Sequence, residues 1–352
     1  MSMQFGIAVA TTTRSWQVVK RAEELGFSHA WFYDTQLLNP DVFIGMTQAA
    51  IATSRIRLGT GVLIPSNRIA PVAANAFATL NMLAPGRIDF GVGTGFTARR
   101  TMGLGAIPLA RMERYIEQVC ALLRGETVEW SFEGERRKIA FLNPDFGLIN
   151  IVDPIGLHVS AMGPNARRLT AKLGAGWLNF GADVVRASRE LDDMQTAWRD
   201  AGRRESLYST LFALGCVLRP GESAASERAM AQAGPQAAVV LHNLAEMGSD
   251  GAGLPPSVAT ALKGYRELHA SYRPEDARYL MNHRGHLMFL RPEEKPLITG
   301  EIIAAFSLTA TKDELRRRVR ELERAGYSQL AIQVVEHHEE ALEEWAEVFE
   351  LK

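Results

Sequence analysis

One local pattern recurs along the 352-residue chain and limits what it can fold into. A helix end, a glycine and an apolar strand follow one another in RAEELGFSHAWF (21–32), AKLGAGWLNF (171–180) and LERAGYSQLAI (322–332). Gly26, Gly174 and Gly326 each stand where a helix takes a left-handed C-terminal cap before turning into a strand. The same rhythm fills the sequence between them. Strands are predicted at 5–9, 29–33, 56–64, 88–92, 157–161, 176–180, 209–218 and 329–335, eight candidates in all. Amphipathic helices are predicted at 15–25, 42–52, from Pro71 onward, and at 111–124, 165–172, 192–202, 312–325 and 339–349. A hairpin over 127–140 turns at Glu133–Gly134. Such a series either closes as a (β/α)8 TIM barrel or opens as a doubly wound sheet. Eight strands, the last able to pair with the first, favour the barrel. No Pro/Ser-rich linker divides the chain, so a single domain over 1–352 is expected, with insertions around 97–155 and 222–300.

The segment 55–96 organises the rest. Two short apolar runs there end in glycine-rich sequence and flank an apolar helix opened by Pro71, whose missing N–H suits a first helical turn. Glycine just past a strand end lets the backbone approach a flat or anionic ligand. A binding face is therefore expected at the carboxyl ends of these strands. The dinucleotide fingerprint fails: GVGTG at 91–95 spaces its glycines wrongly, and GLGAIP at 103–108 follows no strand.

Composition excludes several classes. A net charge of −1 gives no footprint for nucleic acid or an anionic membrane. No stretch approaches the roughly 20 apolar residues of a membrane span. Cys120 and Cys216 lie far apart in apolar contexts, so no disulfide framework is expected and a reduced, cytoplasmic setting fits.

Six segments then carry a family resemblance: FGIAVAT, RAEELGFSHAWFYD, LGTGVLIPSNRIAPVAANAFATLNMLAPGRIDFGVGTGF, RMERYIEQVCALLRGETV, LHVSAMGPNARRLTAKLGAGW and TKDELRRRVRELERAGYSQLAIQV. In order and nearly end to end, they resemble the luciferase-like flavin oxidoreductases, closer to the methylene-tetrahydromethanopterin-reductase-like branch. The resemblance implies a (β/α)8 barrel holding FMN or the deazaflavin coenzyme F420 at its C-terminal face. It places Asp34 near the flavin edge and a cis peptide between Gly61 and Val62 behind the ring. Thr94 and Gly95 fall on a loop touching the cofactor tail, and Met162, Gly163 and Asn165 on a phosphate loop. Thr35 and Phe96 depart from the family's sugar-phosphate dehydrogenases, which carry histidine and glutamate there. Ala175 replaces a common acid.

His283 and His286, in MNHRGHLMF, are candidate substrate-side residues together with Thr35; no further ligand cluster accompanies them, and no metal is expected. Phe96, Trp130 and Phe132 suggest an apolar pocket. The leading expectation is a monooxygenase using reduced FMN and oxygen on a small organic substrate, supplied by a separate flavin reductase. The alternatives are an F420-dependent reductase or dehydrogenase transferring hydride, and a flavin-binding protein without turnover. A homodimer is expected through helices near the second and third strands, with Ala73, Ala74, Ala76 and Ala78 permitting close packing.

Overall fold

The computed structural model describes residues 2–351. Eight parallel strands close into a barrel: β1 (Gln4–Val9), β2 (His29–Phe32), β3 (Arg57–Thr60), β4 (Ile88–Val92), β5 (Gly156–Ser160), β6 (Gly176–Phe180), β7 (Ser209–Ala213) and β8 (Gln329–Val334). Each pairs with its neighbours in sequence order, and β8 closes on β1 with Gln4 opposite Gln329 and Val9 opposite Val334. Gly26, Gly174 and Gly326 have φ of 91°, 63° and 104°. The left-handed caps read from the sequence are therefore present, and they set the helix-to-strand turns.

Alternation along the strands sorts side chains between two cores. Ile7, Phe32, Leu58, Phe90, Val159, Leu211 and Ile332 point outward into the layer shared with the helices. Ala8, Trp31, Leu178, Phe212 and Ala331 fill the barrel interior. Trp31 occupies room that only glycine on β3 can leave, since a Cβ on Gly59 would lie 2.5 Å from its ring. Its indole N–H donates to Gln329 Oε1 at 2.9 Å.

Three elements differ from expectation. The strand predicted over 209–218 breaks after Ala213, because the backbone of Leu308 packs where a Cβ on Gly215 would stand. Val217–Leu218 instead pairs in parallel with Ala310–Thr311 outside the barrel. The helix predicted at 192–202 begins earlier, at Val184, where the Asp183 side chain caps it. A short helix, Phe96–Arg100, follows β4. The hairpin Val128–Phe132 and Glu135–Ile139 forms as read, with positive φ at Glu133 and Gly134.

That hairpin does not roof the mouth. It follows the C-terminal end of the helix Leu109–Leu123 and leads to β5, which must be entered from its N-terminal end. Trp130 and Phe132 stack on each other there, so they are no part of a pocket at the strand carboxyl ends. The roof comes from residues 222–306, whose helices Glu227–Glu246, Pro256–Ser271 and Gly300–Phe306 share a separate apolar core around Leu241, Leu262 and Ile302. Among the described residues no helix is long and apolar enough to cross a membrane.

Candidate active site at the barrel mouth

The carboxyl ends of β2, β3 and β4 build one wall. Pairing of β3 with β4 stops at Gly59 opposite Asp89 and resumes at Leu63 opposite Val92, so β3 carries one extra residue. The Gly61–Val62 peptide in that bulge is cis, as the resemblance implies. Val62 lies across β4: a Cβ on Gly93 would stand 2.7 Å from its methyl carbon. Tyr33, Val62 and Phe180 pack at the top of the interior cluster, so the floor of the mouth is apolar. Gly95, at φ 82°, turns the chain into Phe96–Arg100. Thr94 is half-buried beside it, and its carbonyl accepts from the Ile107 amide.

Asp34 is buried just beyond β2. Its Oδ2 accepts from the Ile64 amide at 3.1 Å and from Asn67 Nδ2 at 3.3 Å, and Arg68 Nη1 reaches both oxygens at 2.9 and 3.0 Å. Arg68 also bonds Asp41, the N-cap of the helix Val42–Ala52. Burial raises the Asp34 carboxyl above its usual range against the pull of Arg68. The acid therefore ties the loop after β3 to β2. Arg68, which completes the tie, escaped the sequence reading; its only signal was a basic residue just after the glycine-rich stretch.

On the far side, Gly163 starts the helix Pro164–Leu173 in an extended conformation, and a Cβ there would meet nothing within 4 Å. Met162 and Asn165 are exposed beside it. This open helix N-terminus is the kind of place where backbone N–H groups hold a phosphate.

The three candidate catalytic residues are not brought to one point. Thr35 is half-buried and opens a turn, its carbonyl accepting from Leu38 and Asn39. His286 is buried with Nε2 3.2 Å from the Thr97 hydroxyl and Nδ1 without a partner. Burial, reinforced by His242, His283 and Arg100, drives its pKa well below the usual imidazole range, so it is neutral. His283 sits further into the roof. Its Nε2 is 3.1 Å from Glu246 Oε1 but poorly aligned, and neither ring nitrogen makes a hydrogen bond. Among the described residues no His, Cys, Asp and Glu group is placed to hold a metal ion.

From His286 the chain crosses the mouth. The Leu287 carbonyl accepts from Gln333 on β8, whose Oε1 accepts from the Tyr33 hydroxyl at 2.8 Å. Met288 Sδ lies 3.2 Å from Asn39 beyond β2. Two cavities lie elsewhere. One of about 420 Å³ lies by Glu23, Ser28 and Arg55 at the opposite end of the barrel. The other, of about 390 Å³, is between Ser15 and Glu336 outside β1 and β8. Neither has the bare strand-end wall that a flat ligand needs.

Comparison with known proteins agrees with this fold. The chain is 26% identical over 93% of its length, and 92% of the relative's, to the 5,10-methylenetetrahydromethanopterin reductase of Archaeoglobus fulgidus. It is 38% identical, over 37% of this chain and 39% of that one, to the F420-dependent glucose-6-phosphate dehydrogenase of Beutenbergia cavernae. The fold matches the F420-dependent tetrahydromethanopterin reductase of Methanopyrus kandleri with a TM-score of 0.76 at 19% identity, covering all of both chains. With the family model for luciferase-like monooxygenases matching residues 5–329, this chain belongs to that family.

Proposed function

We propose that the protein is an F420-dependent oxidoreductase that exchanges hydride with a small organic substrate at the barrel mouth. The near-full-length similarity to a methylenetetrahydromethanopterin reductase carries this choice. It favours the hydride-transfer alternative over the oxygen-using FMN enzyme expected first, and the separate flavin reductase has no part in it. The same mouth suits FMN as the second cofactor, because the two share a flat ring and a phosphate-bearing tail.

The residues present fit such a group. Gly61 and Gly93 leave room for Trp31 and Val62 at the strand ends, and the Val62 side chain so placed would back a flat ring. Thr94 and Gly95 would border the tail, as the family resemblance implies. Gly163 leaves its surroundings open to a phosphate, which the amides of Gly163 and Asn165 and the exposed Met162 would border. When bound, the cofactor supplies the carbon that gives or takes the hydride.

The chain supplies position and proton control. Asp34 is engaged by Arg68 and serves as a brace, so it is no free acid. His286 orients the Thr97 hydroxyl, one residue past Phe96, and this pair joins Arg100–Glu246 in tying the roof to the helix after β4. Thr35 and His283 stand outside that contact.

Titrating purified protein with F420 and with FMN, by fluorescence, tests the reading. F420 is expected to bind at least tenfold more tightly. Reduced F420 should then be reoxidised by substrate under anaerobic conditions. Turnover that requires reduced FMN and oxygen would restore the monooxygenase reading.

A further inference from the structure

Three contacts hold one short segment of the roof across the barrel mouth. His286 Nε2 lies 3.2 Å from the Thr97 hydroxyl, just after β4. The Leu287 carbonyl accepts from Gln333 Nε2. Gln333 shares the inward face of β8 with Ala331, so this carbonyl stands over the barrel interior. Met288 Sδ then lies 3.2 Å from Asn39 Nδ2, in the loop after β2. Because β3 sits between β2 and β4, the segment passes in front of the carboxyl end of β3, where Val62 would back a flat ring. That ring seat belongs to the cofactor reading above, on which this step rests.

Both ends of the segment are rooted in the roof. Asn282 is fully buried, accepting from the Tyr265 hydroxyl and donating to Glu246. Arg291, buried as well, pairs with Glu294 and donates to the Tyr272 hydroxyl at 2.6 Å. Between these posts Arg284 and Phe289 are exposed, and none of the three contacts to the barrel is an ion pair. A thioether sulfur is a weak acceptor. Such hydrogen bonds add little net stability, whereas breaking a buried ion pair costs several times more. The segment can therefore leave the barrel while its posts stay in place.

The seated position also carries a local cost. Leu287 has φ of 58°, a left-handed conformation that leucine holds only under constraint from its surroundings. Gly285, at φ 74°, supplies a pivot two residues earlier. The His286 Nδ1 atom is buried without a partner, and water would satisfy it once the segment rose. We infer that Arg284–Phe289 is a gate, which lifts between its two posts to admit the cofactor and settles back over the ring.

Stopped-flow mixing with F420, followed by cofactor fluorescence, separates a gate from a binding contact. Loosening a gate raises the association and dissociation rate constants together, whereas losing a contact raises dissociation alone. Met288→Leu keeps the apolar volume but removes the sulfur, and Asn39→Ala removes its donor. In this double variant both constants are expected to rise at least threefold, with Kd held within twofold. Leu287→Pro fixes φ at about −65° and so bars the seated position; both constants should rise at least tenfold. A smaller rise in association in the folded double variant, or dissociation rising alone, overturns the gate. Hydrogen exchange of the unsubstituted, cofactor-free protein depends on neither variant nor cofactor. The Met288 and Phe289 amides, both bonded to the Gly285 carbonyl, should exchange at least tenfold faster than those of Asn282 and Glu294, bonded in similar turns at the posts. Equal protection overturns the gate whether or not F420 binds. If F420 fails to bind and FMN binds, the mixing experiment is run with FMN. Failure of both strikes the cofactor reading alone, and the exchange rates then decide the gate.

Discussion

Asp34 is held by the Ile64 amide, Asn67 and Arg68, and that fixes how substitutions around it should behave. Its side chain is 4% exposed and that of Arg68 15%, so water does little to soften the loss of either partner. Arg68→Met leaves a buried carboxylate unpaired and is expected to destabilise the fold by about 3–5 kcal/mol. Asp34→Asn keeps an oxygen for the Ile64 amide and should cost less than half as much. Urea unfolding of the two variants checks the order; equal losses would mean that Asp34 does not depend on Arg68. Gly163 is the opposite kind of position, with open space around it. Gly163→Glu should leave the unfolding midpoint unchanged and lower F420 affinity at least tenfold, through bulk and like charge at the proposed phosphate site. Unchanged affinity would show that the phosphate lies elsewhere. Gly163 stands out through the family resemblance of the segment LHVSAMGPNARRLTAKLGAGW. Sequence could not expose the Asp34–Arg68 tie, because that contact joins two loops and has no spacing of its own.

Among elements, the strand floor opposite the mouth carries one share of the pH sensitivity and the buried His286 of the roof another. Asp89 on β4 takes Arg57 Nε at 2.9 Å and Nη2 at 2.7 Å, with His158 Nε2 at 3.5 Å and His29 Nε2 at 4.0 Å. Burial works against its charge, but hydrogen bonds from His158 and Arg57 outweigh that and hold the carboxyl far below its usual range. Burial pushes the His29 imidazole down from 6.5 to about 4, further than Asp89 can pull it up. Between about pH 6.5 and pH 4 the unfolded chain thus binds a proton at this histidine that the barrel refuses. Stability therefore falls as pH falls through that window, with a slope of up to about 1.4 kcal/mol per pH unit. His29→Asn should reduce the slope there by up to that amount, leaving the part due to His286. It should leave the steeper loss below about pH 4, where Asp89 and other carboxylates protonate. Urea midpoints measured from pH 7 to pH 4 decide this, and an unchanged slope in His29→Asn would assign it to another group. The strands holding these groups were readable because apolar alternation and capping glycines are local. The break in the strand after Ala213 was not, because it is imposed by the Leu308 backbone from ninety-odd residues away.

For the whole molecule, barrel closure was legible because eight βα units in series leave few alternatives. The roof was legible only as a helix-rich insertion, since its contacts with the mouth join Glu246, His286 and Leu287 to residues far away in sequence. One surface still lacks a partner. The helices Val42–Ala52 and Ala70–Leu83 pack side by side between β2, β3 and β4. Ala73, Ala74 and Ala78 of the second helix are fully buried against the barrel, so they cannot provide the close contact expected of them between subunits. The outward face is larger in side chain: Ile44 is 59% exposed, Ile51 72% and Val72 51%. Branched apolar residues standing out on two adjacent helices are more than scattered surface apolars. We propose that a second copy covers them, giving a homodimer about the helices next to β2 and β3. A stable interface of standard size needs about 800 Å² from each partner, which two helix faces of this length can provide. Light scattering at micromolar concentration should therefore give a mass near twice 38.8 kDa. The double variant Ile51→Glu with Val72→Glu places charge at the centre of the face and should yield monomer with an intact barrel, since neither side chain supports the core. A mass near 38.8 kDa for the unsubstituted protein would overturn the dimer. A dimer that survives both charges would move the interface to another face.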